Sequence, residues 1–334
     1  MADNVTLSVA DAIDLGRTAL MRAGMVEAPA NVLARAVVDA EAAGKRSIGL
    51  SHLTDYLHGL ADGRIAGRAE PRITSPVPAI TKCDAMGGIA QYGFDIACDE
   101  LATKAKALGV SIFASRNSYT TGELGWYAAR LAEEGLVALA ATNGPALLAG
   151  AGSTQPVYCT NPLAFAAPLK DGGVLLVDQS SSATAFVKIR EAAARGEAIP
   201  NDWALDQDGA PTTDPFAAMQ GALLAFGGAR GANIALMVEV LAGGLTGANW
   251  SLDAPDFQAG DASPGAGLFV IALAPQLLAD DFPARLASQV ERLSATYGVH
   301  IPGIDRVRRQ RLAESAGIVL PRQLFDSISS FRRA

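Results

Sequence analysis

Five short apolar runs sit in the middle of this chain, at residues 110–114, 136–142, 163–168, 174–178 and 268–273. Each is too short for a typical helix and too continuously apolar for a half-solvated strand, so each predicts a buried strand. Buried strands need covering helices. Helical patterns lie between and around them at 92–108, 183–195, 214–224 and 234–245, and a further short strand is expected at 79–83. The alternation predicts an α/β centre and suggests a doubly wound parallel sheet, although periodicity leaves a mixed or antiparallel sheet open.

The two ends read differently. Ser8 with Asp11 opens a helical run that stops at Gly24, Pro29 opens another to Gly44, and a third runs from 51 to 63. Residues 64–78 hold three prolines and no clear period, which predicts a connection. Helices are again expected at 282–297, 305–317 and 321–331. The expected organisation is a helical region at 1–75, with the 300–334 segment packing nearby, and an α/β domain at 76–299.

Composition narrows the partners. Half of the 334 residues are hydrophobic, 18% are charged, and the net charge is −7 with no long basic run. A sizeable core is expected and nucleic acid is not. Cys83, Cys98 and Cys159 have no CxxC spacing, and no HExxH or Cys/His cluster occurs, so neither disulfides nor a metal site is expected. The polar start Met1-Ala2-Asp3-Asn4 shows no secretory leader, and no apolar stretch has the length of a membrane span. A cytoplasmic protein is the expectation.

No G-x-G-x-x-G, P-loop or G-x-S-x-G motif is present. The chemistry-bearing residues collect elsewhere. The turn Gly44-Lys45-Arg46-Ser47-Ile48-Gly49-Leu50-Ser51-His52 joins two helical patterns and holds hydroxyls, cations and one of only three histidines. It reads either as an anion-holding helix start or as an ordinary turn with Ser51 as N-cap, and the local pattern favours the second. Three polar loops, 118–122, 178–182 and 227–231, stand at strand ends or helix starts, where cap and ligand roles look alike. Thr160-Asn161-Pro162 is a polar turn whose backbone the proline restricts. The basic run 306–311 reads as a charged helix face, of interest only if it reaches a bound phosphate.

Assembled, these residues resemble the NAD(P)-dependent, non-Rossmann malate/L-lactate dehydrogenase family over nearly the whole chain. The resemblance is carried by Arg116-Asn117-Ser118, Thr142-Asn143, the run from Thr160-Asn161-Pro162 to Pro168, Trp203-Ala204-Leu205-Asp206 and Pro211-Thr212-Thr213-Asp214-Pro215. Gly227-Gly228, Leu236-Met237-Val238-Glu239, Leu245-Thr246-Gly247 and Ile301-Pro302-Gly303 support it. It implies an NAD(P)-binding domain with a mixed, largely antiparallel sheet in place of the doubly wound one, and a homodimer. It also implies cofactor contacts at Thr120, Thr121, Gly122, Glu123 and Leu124, at Asp178, Gln179 and Ser180, at Ala229 and Arg230, and at Arg306, Arg308 and Arg309. The substrate carboxylate would meet His52 and Thr160, and Ser47, His52 and Lys188 would be the catalytic candidates.

The departures from the family pattern carry information. The family's usual Ser-His-Gly-Leu-Ser-Arg is Ser47-Ile48-Gly49-Leu50-Ser51-His52 here, so the acid histidine is an isoleucine and the carboxylate-binding arginine a histidine. Thr120 and Ala229 also stand where histidines are usual. Hydride addition to a ketone leaves an alkoxide that must be protonated, and losing a general acid costs about 10²–10⁴-fold. A protonated cyclic imine already carries its proton, so positioning suffices. The chain is therefore similar to the branch reducing Δ1-pyrroline-2-carboxylate and Δ1-piperideine-2-carboxylate with NADPH or NADH, as residues 245–251 with Asp256-Phe257 also suggest. A 2-oxo acid substrate, or nucleotide binding without turnover, is the alternative.

Overall fold

A computed structural model of the chain describes residues 3–332; the leader reading at Met1-Ala2 and the last two residues of the 300–334 segment lie outside them. A strand β1 (Asn4–Leu7) precedes three helices, α1 (Val9–Arg22), α2 (Glu27–Ala42) and α3 (Leu50–Ala61). Then come β2 (Arg72–Val77), β3 (Ile80–Asp84), α4 (Ala90–Leu108), β4 (Val110–Ser118), α5 (Leu124–Glu133) and β5 (Val137–Thr142). The middle continues with β6 (Leu148–Ala149), β7 (Pro156–Tyr158), β8 (Leu163–Pro168), β9 (Val174–Gln179), α6 (Phe186–Arg195), β10 (Ala204–Leu205), α7 (Pro215–Gln220), β11 (Ala222–Leu223) and α8 (Ala229–Glu239). The chain closes with β12 (Ala266–Leu273), α9 (Phe282–Tyr297), α10 (Ile304–Ala316), β13 (Ile318–Pro321) and α11 (Arg322–Ser330).

Seven strands form the central sheet in the order β2-β3-β4-β12-β5-β8-β9. Only β3 and β4, joined through α4, are parallel; every other neighbouring pair is antiparallel. This is the mixed, largely antiparallel sheet of the resemblance, and it corrects the doubly wound reading. The physical reason is one long-range pairing and one short link. The β4–α5–β5 unit looks like a parallel crossover, but β12, from more than a hundred residues later, inserts between its two strands and runs against both. The five-residue link from β8 to β9 is too short for a crossover and makes a hairpin.

Three local readings are also corrected. Residues 64–78 are not only a connection, because β2 pairs there at the sheet edge, where Pro76 is tolerated. The 214–224 helix stops at Gln220 and gives way to β11. Ser51 is not the N-cap of α3. Gly49 takes that place, and the Leu50 N–H is satisfied by the Glu41 carboxylate at 2.9 Å. A Cβ at position 49 would collide with Glu41, so glycine is required there. Ser8, by contrast, caps α1 as its spacing predicts, accepting from the Asp11 N–H at 3.0 Å.

The main core lies between the sheet and α4 and α5, around Phe94, Phe113, Trp126, Tyr127 and Leu131. A second core joins α1, α2 and α3 to the chain's end: Leu20, Leu33, Leu53 and Leu57 share it with Ala313, Leu320 and Ile328, and β1 pairs with β13. Thus the turn 44–49 is carried by one core and faces elements carried by the other.

Candidate active site

Lys45 leaves the end of α2 and reaches the sheet. Its ammonium stands 2.5 Å from Asp178 Oδ2, near the end of β9, and 3.0 Å from Glu123 Oε1 at the start of α5. Asp178 also accepts from the Gly125 N–H at 3.1 Å, and Glu123 also pairs with Arg306 of α10. Burial works against the Lys45 charge, but Asp178 and Glu123 outweigh it and raise the ammonium above its ordinary range. Three segments far apart in sequence are tied to the turn by one network of paired charge.

Beside this network opens a cleft of about 320 Å³ lined by Lys45, Asp178, Gln179, His300, Arg306 and Arg309. Arg309 lies against Gly44, whose φ of +83° and missing Cβ give the guanidinium its room. Gly303, with φ of +91°, starts α10 against the backbone of Leu176. Cations, a glycine-lined wall and strand-end backbone together fit part of a phosphorylated dinucleotide. Arg308 is exposed and paired with Asp305 at 3.1 Å.

The loop after β4 forms the next wall. The Thr121 carbonyl accepts from Gln91 Nε2 at 3.0 Å and from the Tyr127 hydroxyl at 2.8 Å, and Gly122 takes φ of +63°. Gln91 Nε2 also donates to the Tyr56 hydroxyl at 3.0 Å. Ile48 lines a small void together with Tyr56, Gln91, Thr121, Gly122 and Glu123, beside the loop that leads to Leu124 at the start of α5. Burial pushes the Tyr56 and Tyr127 hydroxyls well above their ordinary value, so both stay protonated near neutrality.

His52 lies on α3, one turn from Asp55 and Tyr56. Its Nδ1 is 2.7 Å from Asp55 Oδ2 and its ring meets Tyr56 edge-on at 4.9 Å. Tyr56 packs on Tyr119, and Tyr119 on Phe257. The Phe257 carbonyl accepts from Tyr119 at 2.9 Å and from Arg64, and Gln258 Nε2 reaches Asp55 Oδ1 at 3.4 Å. Phe257 also approaches Gly144, beside Cys159.

Thr160 is half-buried next to Cys159, and its backbone is fixed. The Thr160 carbonyl accepts from the Ser181 N–H at 2.8 Å. Asn161, buried at φ of +36°, donates to Ala235 O at 2.9 Å and to Glu239 Oε2 at 2.7 Å. Glu239 is buried without a cation and is held by the Ser251 N–H and hydroxyl, both at 2.7 Å. The partners of this turn are therefore backbone and a carboxylate.

Of the residues expected from sequence, Glu123, Asp178 and Arg306 meet in one network, and Gln179 and Arg309 line the same cleft. Thr121 and Gly122 meet Ile48; Thr120 is half-buried beside them; Ser180 is bonded to Ser182 at 2.9 Å. Ser47 lies exposed in the turn, Lys188 is exposed on α6, and Ala229 and Arg230 are exposed at the start of α8. In the sequence Lys45 counts only as one of the turn's cations and Glu239 only as part of a motif, and Asp55, Tyr56 and Gln91 are given no role. Asp55 and Tyr56 were findable, since they stand three and four residues after His52 on one helix face. The partners of Lys45 and Gln91 lie across the fold, and no local signal marks those pairings. Among the described residues no group of three or more His, Cys, Asp or Glu could hold a metal ion, and no helix is long and apolar enough to cross a membrane.

The family model described as malate/L-lactate dehydrogenase matches residues 7–329. A (2R)-3-sulfolactate dehydrogenase (NADP(+)) of Chromohalobacter salexigens is 35% identical, over 97% of either chain. A Δ1-pyrroline-2-carboxylate/Δ1-piperideine-2-carboxylate reductase of Pseudomonas putida is also 35% identical, over 90% of this chain and 89% of the relative. The crystal structure of Δ1-piperideine-2-carboxylate reductase from Pseudomonas syringae pv. tomato superposes with a TM-score of 0.93 at 33% identity, covering 97% of this chain and 99% of that one.

Proposed function

The chain belongs to the malate/L-lactate dehydrogenase family, and from that premise we propose that it is an NADPH-dependent reductase of cyclic ketimines. The substrates are Δ1-pyrroline-2-carboxylate and Δ1-piperideine-2-carboxylate, and the products L-proline and L-pipecolate. The observation that carries this reading is Ile48. It lines a small void together with the Thr121–Gly122–Glu123 loop, at the position where the family pattern carries its acid histidine, and an isoleucine has no proton to give. The two reductases above, at 33% and 35% identity, support it.

NADPH, when bound, supplies the hydride; NADH is the second cofactor to test. Arg306 and Arg309 would hold its phosphates, while Lys45, Glu123 and Asp178 keep the cleft wall in place. In this reading His52 and Thr160 bind the substrate carboxylate or ring nitrogen, and His52 is the candidate to manage the imine proton. Behind His52, the buried rings of Tyr56 and Tyr119 stack in a chain with the partly buried Phe257 and back that helix rigidly. Ser47, exposed in the turn, is a further polar contact in this reading, and Lys188, exposed on α6, takes no part in it. Leu236, Met237, Val240, Leu245 and Leu252, each 47–69% exposed on or after α8, offer an apolar face for a homodimer. A cytoplasmic location is part of the same proposal; among the described residues no helix is long and apolar enough to cross a membrane.

The sulfolactate dehydrogenase relative keeps 2-hydroxyacid oxidation as the second reading. Oxidation of NADPH and NADH followed in parallel with both imines, pyruvate, oxaloacetate and sulfopyruvate separates them. Turnover of the imines is expected. Turnover of the oxo acids alone would reject the proposal, and nucleotide binding without any turnover would point to a chain that has lost its chemistry.

A further inference from the structure

The small void beside Ile48 has a volume of about 10 Å³, room for one water and nothing larger. Three of the side chains lining it are polar, and all three are buried: Tyr56 on α3 is 0% exposed, Gln91 on α4 2% and Glu123 at the start of α5 4%. Each holds a hydrogen-bonding capacity that the protein does not use. Gln91 Oε1 and Glu123 Oε2 have no partner among the described residues. The Tyr56 hydroxyl accepts from Gln91 Nε2 at 3.0 Å, which leaves its own proton to donate. Burial raises that hydroxyl well above a phenol's ordinary value, so the proton is present throughout the neutral range.

The geometry points to a one-water binding site in this void. The water accepts from the Tyr56 hydroxyl and donates one proton to Gln91 Oε1 and the other to Glu123 Oε2, the three bonds usual for a buried water. The orientation of Gln91 follows from its neighbours. The Thr121 carbonyl can only accept, and it takes Gln91 Nε2 at 3.0 Å and the Tyr127 hydroxyl at 2.8 Å, so the amide nitrogen is fixed there and the amide oxygen is turned away. Glu123 is held as firmly. Its Oε1 meets Lys45 at 3.0 Å and also Arg306, which leaves Oε2 as the free atom. Gly122 gives the cluster its space, because a Cβ there would stand 2.9 Å from Gln91 Nε2 and 3.1 Å from the Tyr56 oxygen.

The rest of the lining suits no other occupant. Ala36, Val37 and Ile48 are apolar, and the Trp126 indole N–H is given to Asp39 at 3.1 Å. A divalent metal ion takes about six oxygen ligands, more than these side chains bring. Two bare buried acceptors would carry a desolvation cost that folded proteins rarely leave uncompensated. With the water in place, α3 and α4 are braced against the carboxylate that holds Lys45 and Arg306. Both of its protons are committed, so it does not replace the acid that position 48 lacks. The site rests on packing and hydrogen bonding and is the same whichever substrate is reduced.

Two measurements on the full chain test it. The first is a crystal structure at a resolution that places ordered water. One peak is expected in the void, within hydrogen-bond distance of both Gln91 Oε1 and Glu123 Oε2. The second is the thermal midpoint of Val37→Ile. This change adds one methylene to the wall of the void and touches no polar group, and both side chains branch at Cβ, so α2 keeps its helical preference. A methylene that displaces the water strands two buried oxygens, and the midpoint is expected to fall by about 2 °C or more. Filling a dry void would raise it instead. A wild-type void without a peak, a peak that reaches only one of the two oxygens or is coordinated as a metal ion, or a Val37→Ile chain at least as stable as the wild type would overturn the proposal.

Discussion

The two walls of the site are built on opposite electrostatic plans. On the cofactor side, Lys45, Glu123, Asp178 and Arg306 pair every charge in the network, and the network joins residues as far apart as 45 and 306. On the side proposed for the substrate, Ile48 and the buried rings of Tyr56 and Tyr119, with Phe257, leave one histidine with one carboxylate beside it. Paired, buried charges fix geometry and are costly to break one at a time. The first group ties elements of two cores together, and the second, in the proposed reading, meets the substrate with few ionisable groups.

The contrast can be broken most severely at Glu123. Glu123→Gln leaves Arg306 without its counter-charge and loosens Lys45, and is expected to lower stability by about 3 kcal/mol, read from the denaturation midpoint. NADPH affinity should fall with it, since the same residues frame the cleft. A stability change within error would show that the network is an ornament of the surface. At the other extreme, Lys188→Ala is expected to change kcat/KM for either imine by less than about twofold, because an exposed charge on α6 with no anchoring partner contributes little. A large loss of kcat there would bring α6 into the chemistry and redraw the substrate wall.

Much of the architecture is legible in the sequence because it is local. The Ser8–Asp11 cap, the helix at 282–297 and the buried strands all follow from spacing and burial pattern. The order of the sheet is not, because nothing near β4 or β5 announces that residues 266–273 will come between them. The same division runs through the site. The turn 44–52, the end of β9 and the Thr160–Asn161 turn stand out by residue type. The salt link from Lys45 to Asp178 spans 133 positions, and the Gln91 contacts with Tyr56 and Thr121 exist only after folding. Glu239 is quoted in a motif, but its work of holding Asn161 and Ser251 needs the packed structure to be seen.

The missing acid at position 48 is the point on which the functional reading turns, and one ratio tests it: kcat/KM for Δ1-pyrroline-2-carboxylate over kcat/KM for pyruvate, with NADPH, in the wild type and in Ile48→His. The account predicts a wild-type ratio well above one. It predicts a fall of about tenfold or more in the variant as an imidazole beside the Thr121–Glu123 loop supplies the proton a ketone needs. A wild type that already favours pyruvate, or a ratio unmoved by the new histidine, would contradict it.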